Sequence, residues 1–253
     1  MIFHFVVFLW SIIFYLALQI ILHFSGEVTL GWYMWSILLL SVVTFLAMKR
    51  LTGRLKDFFL PLLLAVTTPT LLSFIDSKVE QQIFVVLVSL MVYSAFIGAY
   101  RLRQAPKDQT AVALMHTAAL SGLFLFYASI YGFYLNFTFP LWALMVLFFG
   151  GTSLVSYVTL IAGGSHAERR SRIKLYSVLL GLTLSELAWV ISFWPFGYLT
   201  TASISLIFYY VAWDIIWHAL DDDLRLKDTL VRMSFFLSLI GVLLYSTPWR
   251  IVV

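Results

Sequence analysis

The chain has 253 residues, of which 62% are hydrophobic, 18% aromatic and 11% charged, whereas a soluble domain carries about 25% charged and roughly 45–50% apolar residues. That much apolar side chain cannot be hidden in one soluble core of 29.0 kDa, and a mean hydropathy of +0.98 leaves no room for a separate catalytic domain in water. The net charge of +4 is explained by basic residues gathered in cytoplasmic loops, which excludes nucleic acid and makes the lipid bilayer the partner, while the lack of cysteine removes disulfides, thiolate metal sites and cysteine nucleophiles.

Apolar runs of about 20 residues, the length of a helical crossing, recur along the chain, each ended by a short polar patch. They predict spans at Phe3–Phe24, Val28–Met48, Phe58–Ile75, Ile83–Tyr100 and Thr110–Tyr134, then at Pro140–Ala162, Leu175–Trp194, Tyr198–Leu220 and Thr229–Tyr245. Strands of a membrane barrel would alternate polar and apolar residues, and nothing here does. The expected fold is therefore all-α, a polytopic transmembrane helix bundle of about nine spans forming a single membrane domain over residues 1–253. The first run has no basic residues before it and is too long for a cleavable signal, so it is read as a retained span.

Lysine and arginine orient the spans. Lys49, Arg50, Arg54 and Lys56 follow the second span, Arg101, Arg103 and Lys107 the fourth, and Arg169, Arg170, Arg172 and Lys174 the sixth. Arg225 and Lys227 follow the eighth, with Arg232 just inside the ninth, whereas only Lys78 and Arg250 fall on the other side. Fourteen against two predicts the N-terminus inside and the C-terminus outside. All six lysines lie in loops or at helix ends, which excludes a retinal-binding lysine within a late helix.

An ionisable group at membrane depth costs at least ~2.5–3.5 kcal/mol and needs a reason. Glu186 lies 12 residues past Lys174, about 18 Å along the helix, with no base beside it in sequence. It reads either as a protonated acid bonded to neighbouring helices or as a proton or cation site whose affinity is raised by burial. Asp214 and His218 are four residues apart and share a helix face. His116 falls at about the same depth as Asp214, so the two are expected to pair if their helices touch. Pro69 within Thr67-Thr68-Pro69-Thr70 predicts a kinked third span whose threonine hydroxyls satisfy the carbonyls that the proline frees. Thr67 and Thr68 share the expected depth of Glu186. Gly150-Gly-Thr-Ser153 in the sixth span reads as a helix-packing segment.

Asp221, Asp222 and Asp223 open the most polar stretch. Clustered carboxylates at a membrane surface can hold magnesium against a diphosphate, as the aspartate-rich motifs of membrane prenyltransferases do. Those enzymes carry two such motifs, and the loop after the second span here, Lys49 to Asp57, is basic. The plain alternative is a solvated loop whose acids favour the start of the next helix.

Glu186-Leu-Ala-Trp189, Ser192-Phe-Trp-Pro195, Tyr209-Tyr210, Trp213 and His218 resemble the C-terminal part of an uncharacterised family of bacterial multi-pass membrane proteins. The resemblance covers residues 186 to 245. It implies a bacterial cytoplasmic membrane and no mechanism. Three functions follow as expectations. The first is a proton-coupled or small-solute transporter using Glu186, Asp214, His116, His218, Thr67 and Thr68. The second is a non-catalytic membrane scaffold or assembly subunit, and the third an enzyme acting on a lipid-linked diphosphate through Asp221 to Asp223. None of the three implies a cofactor.

Overall fold

The computed structural model describes residues 2–24, 30–105, 108–137, 139–162, 170–220 and 226–247, and these residues hold nine α-helices and no strand. The helices are α1 (Ile2–His23), α2 (Leu30–Leu51), α3 (Phe59–Leu72), α4 (Lys78–Gln104), α5 (Gln109–Asn136), α6 (Leu141–Ala162), α7 (Arg170–Ile191), α8 (Tyr198–Leu220) and α9 (Leu226–Ser246). Eight of them are long and apolar enough to cross a membrane, the mark of a membrane-embedded chain. The exception corrects the third expected span. Instead of Phe58–Ile75, α3 has 14 residues, preceded by a 3₁₀ turn at Leu55–Phe58.

The chain divides into two compact units, Met1–Phe126 and Tyr127–Val253, with the boundary inside α5. In the first unit α1 packs on α2 and α4, and α3 packs on α2 and α4. Interhelical bonds set the direction of each helix. Gln19, near the end of α1, exchanges amide hydrogen bonds of 2.7 and 3.2 Å with Gln82, near the start of α4. Tyr33, near the start of α2, bonds to Ser73 just past the end of α3, and at the opposite end Arg103 of α4 donates to the carbonyl of Leu51, the last residue of α2, at 3.2 Å. The segment from Leu55 to Ser73 therefore runs back along nearly the whole of α2. It does so because a 3₁₀ turn rises more per residue than an α-helix: about 8 Å from the turn and about 21 Å from α3 give about 29 Å.

Helix α3 continues through Pro69. Thr67 donates to the carbonyls of Leu63 and Leu64 at 2.9 and 3.3 Å, and Thr68 donates to Leu64. These carbonyls precede that of Ala65, the one left without an amide when residue 69 is proline, so these are ordinary back-bonds along the helix.

In the second unit the sequence sorts α7 into two faces. Ser177, Gly181, Leu184, Ser185 and Ala188 are buried, while Leu175, Val178, Leu179, Leu182 and Trp189 are exposed. The mostly small face meets α6 so closely that a β-carbon on Gly181 would stand 2.7 Å from the Phe149 carbonyl oxygen and 2.0 Å from Ser153 Oγ. Within the Gly150–Ser153 segment this contact with α7 is made by Ser153, whereas a β-carbon on Gly150 would meet nothing within 4 Å. Tyr127 of α5 stacks on Phe148 of α6 at 4.4 Å and bonds to Thr152 at 2.7 Å, and Tyr131 donates to the Ala188 carbonyl at 3.2 Å. Helix α9 is the least covered, with Ile240 its one buried side chain among the described residues.

Candidate functional site

Two charged groups within the apolar helices, Asp214 and Arg232, meet where α8 ends and α9 begins. Asp214 lies six residues before the end of α8 and Arg232 six residues after the start of α9, so each sits about 9 Å from its helix end. Arg232 Nη1 donates to Asp214 Oδ2 at 2.7 Å. Successive residues turn by about 100° on a helix, which puts Asp214 and His218 toward α9. Trp213 and Trp217, stacked at 5.2 Å, turn instead to the apolar cluster of Leu160, Ile173 and Leu220. The tryptophans thereby fix the rotation of α8 that aims the polar pair at Arg232.

Asp214 and His218 share a face of α8, with His218 Nδ1 3.6 Å from the Asp214 carboxylate and 2.8 Å from the Asp214 carbonyl oxygen. A carbonyl oxygen only accepts, so Nδ1 carries the hydrogen. Arg232 Nη1 lies 3.4 and 3.2 Å from the two ring nitrogens. An atom nearly equidistant from both cannot lie along the in-plane lone pair of either, and on the Cε1 edge it would collide with that carbon. The guanidinium therefore rests against the imidazole face, a stacking that arginine favours. One arginine thus ties α9 to both side chains. The exposures of 20% for Asp214 and 45% for Arg232 place the pair between a surface and a buried ion pair.

The other expected site residues that the structure describes stand on other helices. Glu186 is exposed, on the outward face of α7 with Leu182 and Thr183 a turn before it and Trp189 and Val190 a turn after. It has no hydrogen-bond or ion-pair partner among the described residues. His116 is half-buried on the part of α5 that belongs to the first unit, whereas Asp214 and His218 belong to the second. Thr67 and Thr68 are buried in the first unit. Asp221, Asp222 and Asp223 lie outside the described residues, among which no group of three or more potential metal ligands occurs.

Two clefts open in the first unit. One, of about 410 Å³, is polar and lies beside the Gln19–Gln82 pair. The other, of about 1160 Å³, lies at the opposite end and carries Lys49, Arg50 and Arg103. Outside the spans, Asp108 caps α5. Its carboxylate accepts from the Thr110 hydroxyl and from the Thr110 amide at 3.0 Å, and it pairs with Arg101 at 2.9 Å. The Thr110 hydroxyl bond, with the backbone amides and the Arg101 charge behind it, holds the carboxyl below its ordinary value of 3.8.

The profile of a family of proteins of unknown function, DUF5656, matches residues 44–246. The chain belongs to this family. The DUF5656 region begins within α2 and ends with α9, so it takes in Glu186 and the whole Asp214–His218–Arg232 cluster while leaving out α1. No curated protein and no solved structure matches the chain. An uncharacterised family is what the C-terminal resemblance implied. The residue that sequence reasoning missed is Arg232 as the partner of Asp214, although its equal distance from the other side of the α8–α9 connection was a usable signal.

Proposed function

We propose that this DUF5656 chain is a non-catalytic assembly subunit of a bacterial cytoplasmic membrane, crossing it nine times from an internal N-terminus. The outward position of Glu186 carries this reading. A carboxyl group facing lipid carries a cost, about 2.5–3.5 kcal/mol at a span's centre and less at Glu186, five residues before the end of α7, and its own chain gives it no partner among the described residues. A second membrane helix that presents a hydrogen-bond donor at this depth removes that cost. The other membrane-depth groups named above, Asp214 with Arg232 and Thr68 with Leu64, already have partners within the chain.

A photo-crosslinking residue at Leu182 or Val190, beside Glu186, is expected to give one discrete product in native membranes, and the same residue at Val146 of α6 none. Glu186→Gln, which still bonds, should keep the product, and Glu186→Leu should lose it. A product indifferent to Glu186→Leu, or no product, overturns the proposal.

The Asp214–His218–Arg232 cluster favours a second reading, a proton-coupled or small-solute transporter, because ionisable groups within a span mark ion paths as well as tethers. Proteoliposome flux that Asp214→Asn abolishes, while Glu186→Leu leaves it unchanged, would put this reading first.

A further inference from the structure

We infer that the 1160 Å³ cleft in the first unit is a binding site for an anionic phospholipid. Its depth is apolar: Val6, Leu9, Trp10 and Ile13 of α1 line one wall and Leu46 of α2 adds to it. Val6 to Ile13 covers about 10 Å along the helix, enough for the upper part of an acyl chain lying against α1. The rim is basic. Lys49 and Arg50 stand in the last turn of α2, and Arg103 stands in the last turn of α4.

Three features make this more than a set of cations at helix ends. Lys49, Arg50 and Arg103 have no carboxylate partner among the described residues, whereas Arg101, two residues from Arg103, is paired with Asp108. Arg103 is held in place through one nitrogen, which donates to the Leu51 carbonyl, and its remaining donors stay available. Among the described residues no acidic side chain lines the cleft. A free anion would leave the apolar wall without purpose and a neutral lipid would leave the three charges so. A lipid with a phosphate head and an apolar tail meets both, with the phosphate at the rim and the chain along α1. The rim residues are also among those that the lysine and arginine bias assigns to the cytoplasmic face, the leaflet rich in anionic lipid.

The test uses the full chain in phosphatidylcholine nanodiscs, with a trace of phosphatidylglycerol carrying a diazirine near the head of one acyl chain. Adducts are mapped by peptide and titrated with unlabelled lipid. Phosphatidylglycerol adducts are expected on Leu9, Trp10 and Ile13, with phosphatidylcholine of the same design giving few there. Each rim cation is worth about fivefold, the equivalent of about 1 kcal/mol. Lys49→Gln, Arg50→Gln and Arg103→Gln together should therefore raise the half-saturating lipid concentration about a hundredfold, with Arg101→Gln near wild type. Ile13→Trp, which keeps every charge and fills the trench, should also remove the adducts. Equal labelling by both lipids, or a triple variant that binds as wild type does, overturns the inference. So does displacement of the lipid by millimolar inorganic phosphate, which would make the cleft a site for free anions.

Discussion

Gly181→Ala measures how tightly the second unit is closed, because two opposing effects have different sizes at that position. In a helix, alanine is favoured over glycine by about 0.8–1.0 kcal/mol, so an open site gains stability. At Gly181 the new β-carbon would meet Ser153 Oγ at 2.0 Å, Phe149 O at 2.7 Å and Ser153 Cβ at 3.2 Å. The hydroxyl can rotate away, but the carbonyl belongs to the backbone of α6 and cannot, so α6 and α7 must separate by about half an ångström. Overpacking of this kind costs typically about 1–3 kcal/mol, and the moving contact is the close α6–α7 seam. A net loss of up to about 2 kcal/mol is expected. For a chain of this length that is a fall of up to about 8 °C in Tm, read by thermal unfolding in detergent. Gly150→Ala is the control, since nothing lies within 4 Å of its β-carbon, and it should hold or raise Tm. Adding Ser153→Ala to Gly181→Ala removes the hydroxyl clash and leaves the carbonyl, so recovery should be partial. If Gly181→Ala behaves like Gly150→Ala, or Ser153→Ala restores stability completely, the carbonyl contact does not set the helix separation.

Arg232→Gln leaves Asp214 without its counter-charge and should cost about 1–3 kcal/mol, between the ranges for exposed and buried pairs. The chain has no cysteine, so one cysteine placed at Ile240, a buried position of α9, reports the loosening of that helix as faster thiol labelling, and Asp214→Leu with Arg232→Leu should restore the slow rate. Tyr127→Phe removes the 2.7 Å bond to Thr152 while keeping the stack on Phe148, and should lower stability by about 1–2 kcal/mol; an unchanged Tm would show the bond to be idle. The carboxyl of Asp108 is lower in the folded chain, so its stabilisation is full above 3.8 and is lost as pH falls through the folded value. Asp108→Asn keeps a capping oxygen without the charge, and should remove that part of the acid loss below pH 3.8 seen in pH titrations of Tm; an unaltered acid limb would refute the assignment.

Helix number and placement were legible because a crossing needs about 20 apolar residues, a requirement written directly into composition. The third span was read too long. Its apolar run continues to Ile75, but the α-helix ends at Leu72, after which Phe74 and Ile75 make only three-residue backbone turns, and the missing rise comes from a 3₁₀ turn before α3 that hydropathy cannot distinguish from helix. The Asp214–His218 contact was legible from four-residue spacing alone. The partner of Asp214 was sought at equal depth and found in His116 rather than Arg232, because depth is a one-dimensional coordinate shared by every span. The exposure of Glu186 was written in its own helix. Its neighbours one turn away include Leu182, Trp189 and Val190, all large, whereas the residues suited to close packing, Gly181, Ser185 and Ala188, are on the other side.

Because the Leu55–Leu72 segment reaches only about 29 Å, it matches an average hydrocarbon thickness of about 30 Å and has no length in reserve. Helix α4, with 27 residues in the same unit, can tilt as the bilayer thins or straighten as it thickens, but the short segment can only pull its flanking polar residues inward. In a chain that crosses nine times, as proposed above, the first unit would thus gauge membrane thickness. In bilayers of longer acyl chains the strain would then fall first on Asp57 and Asp76, the acids on either side of α3.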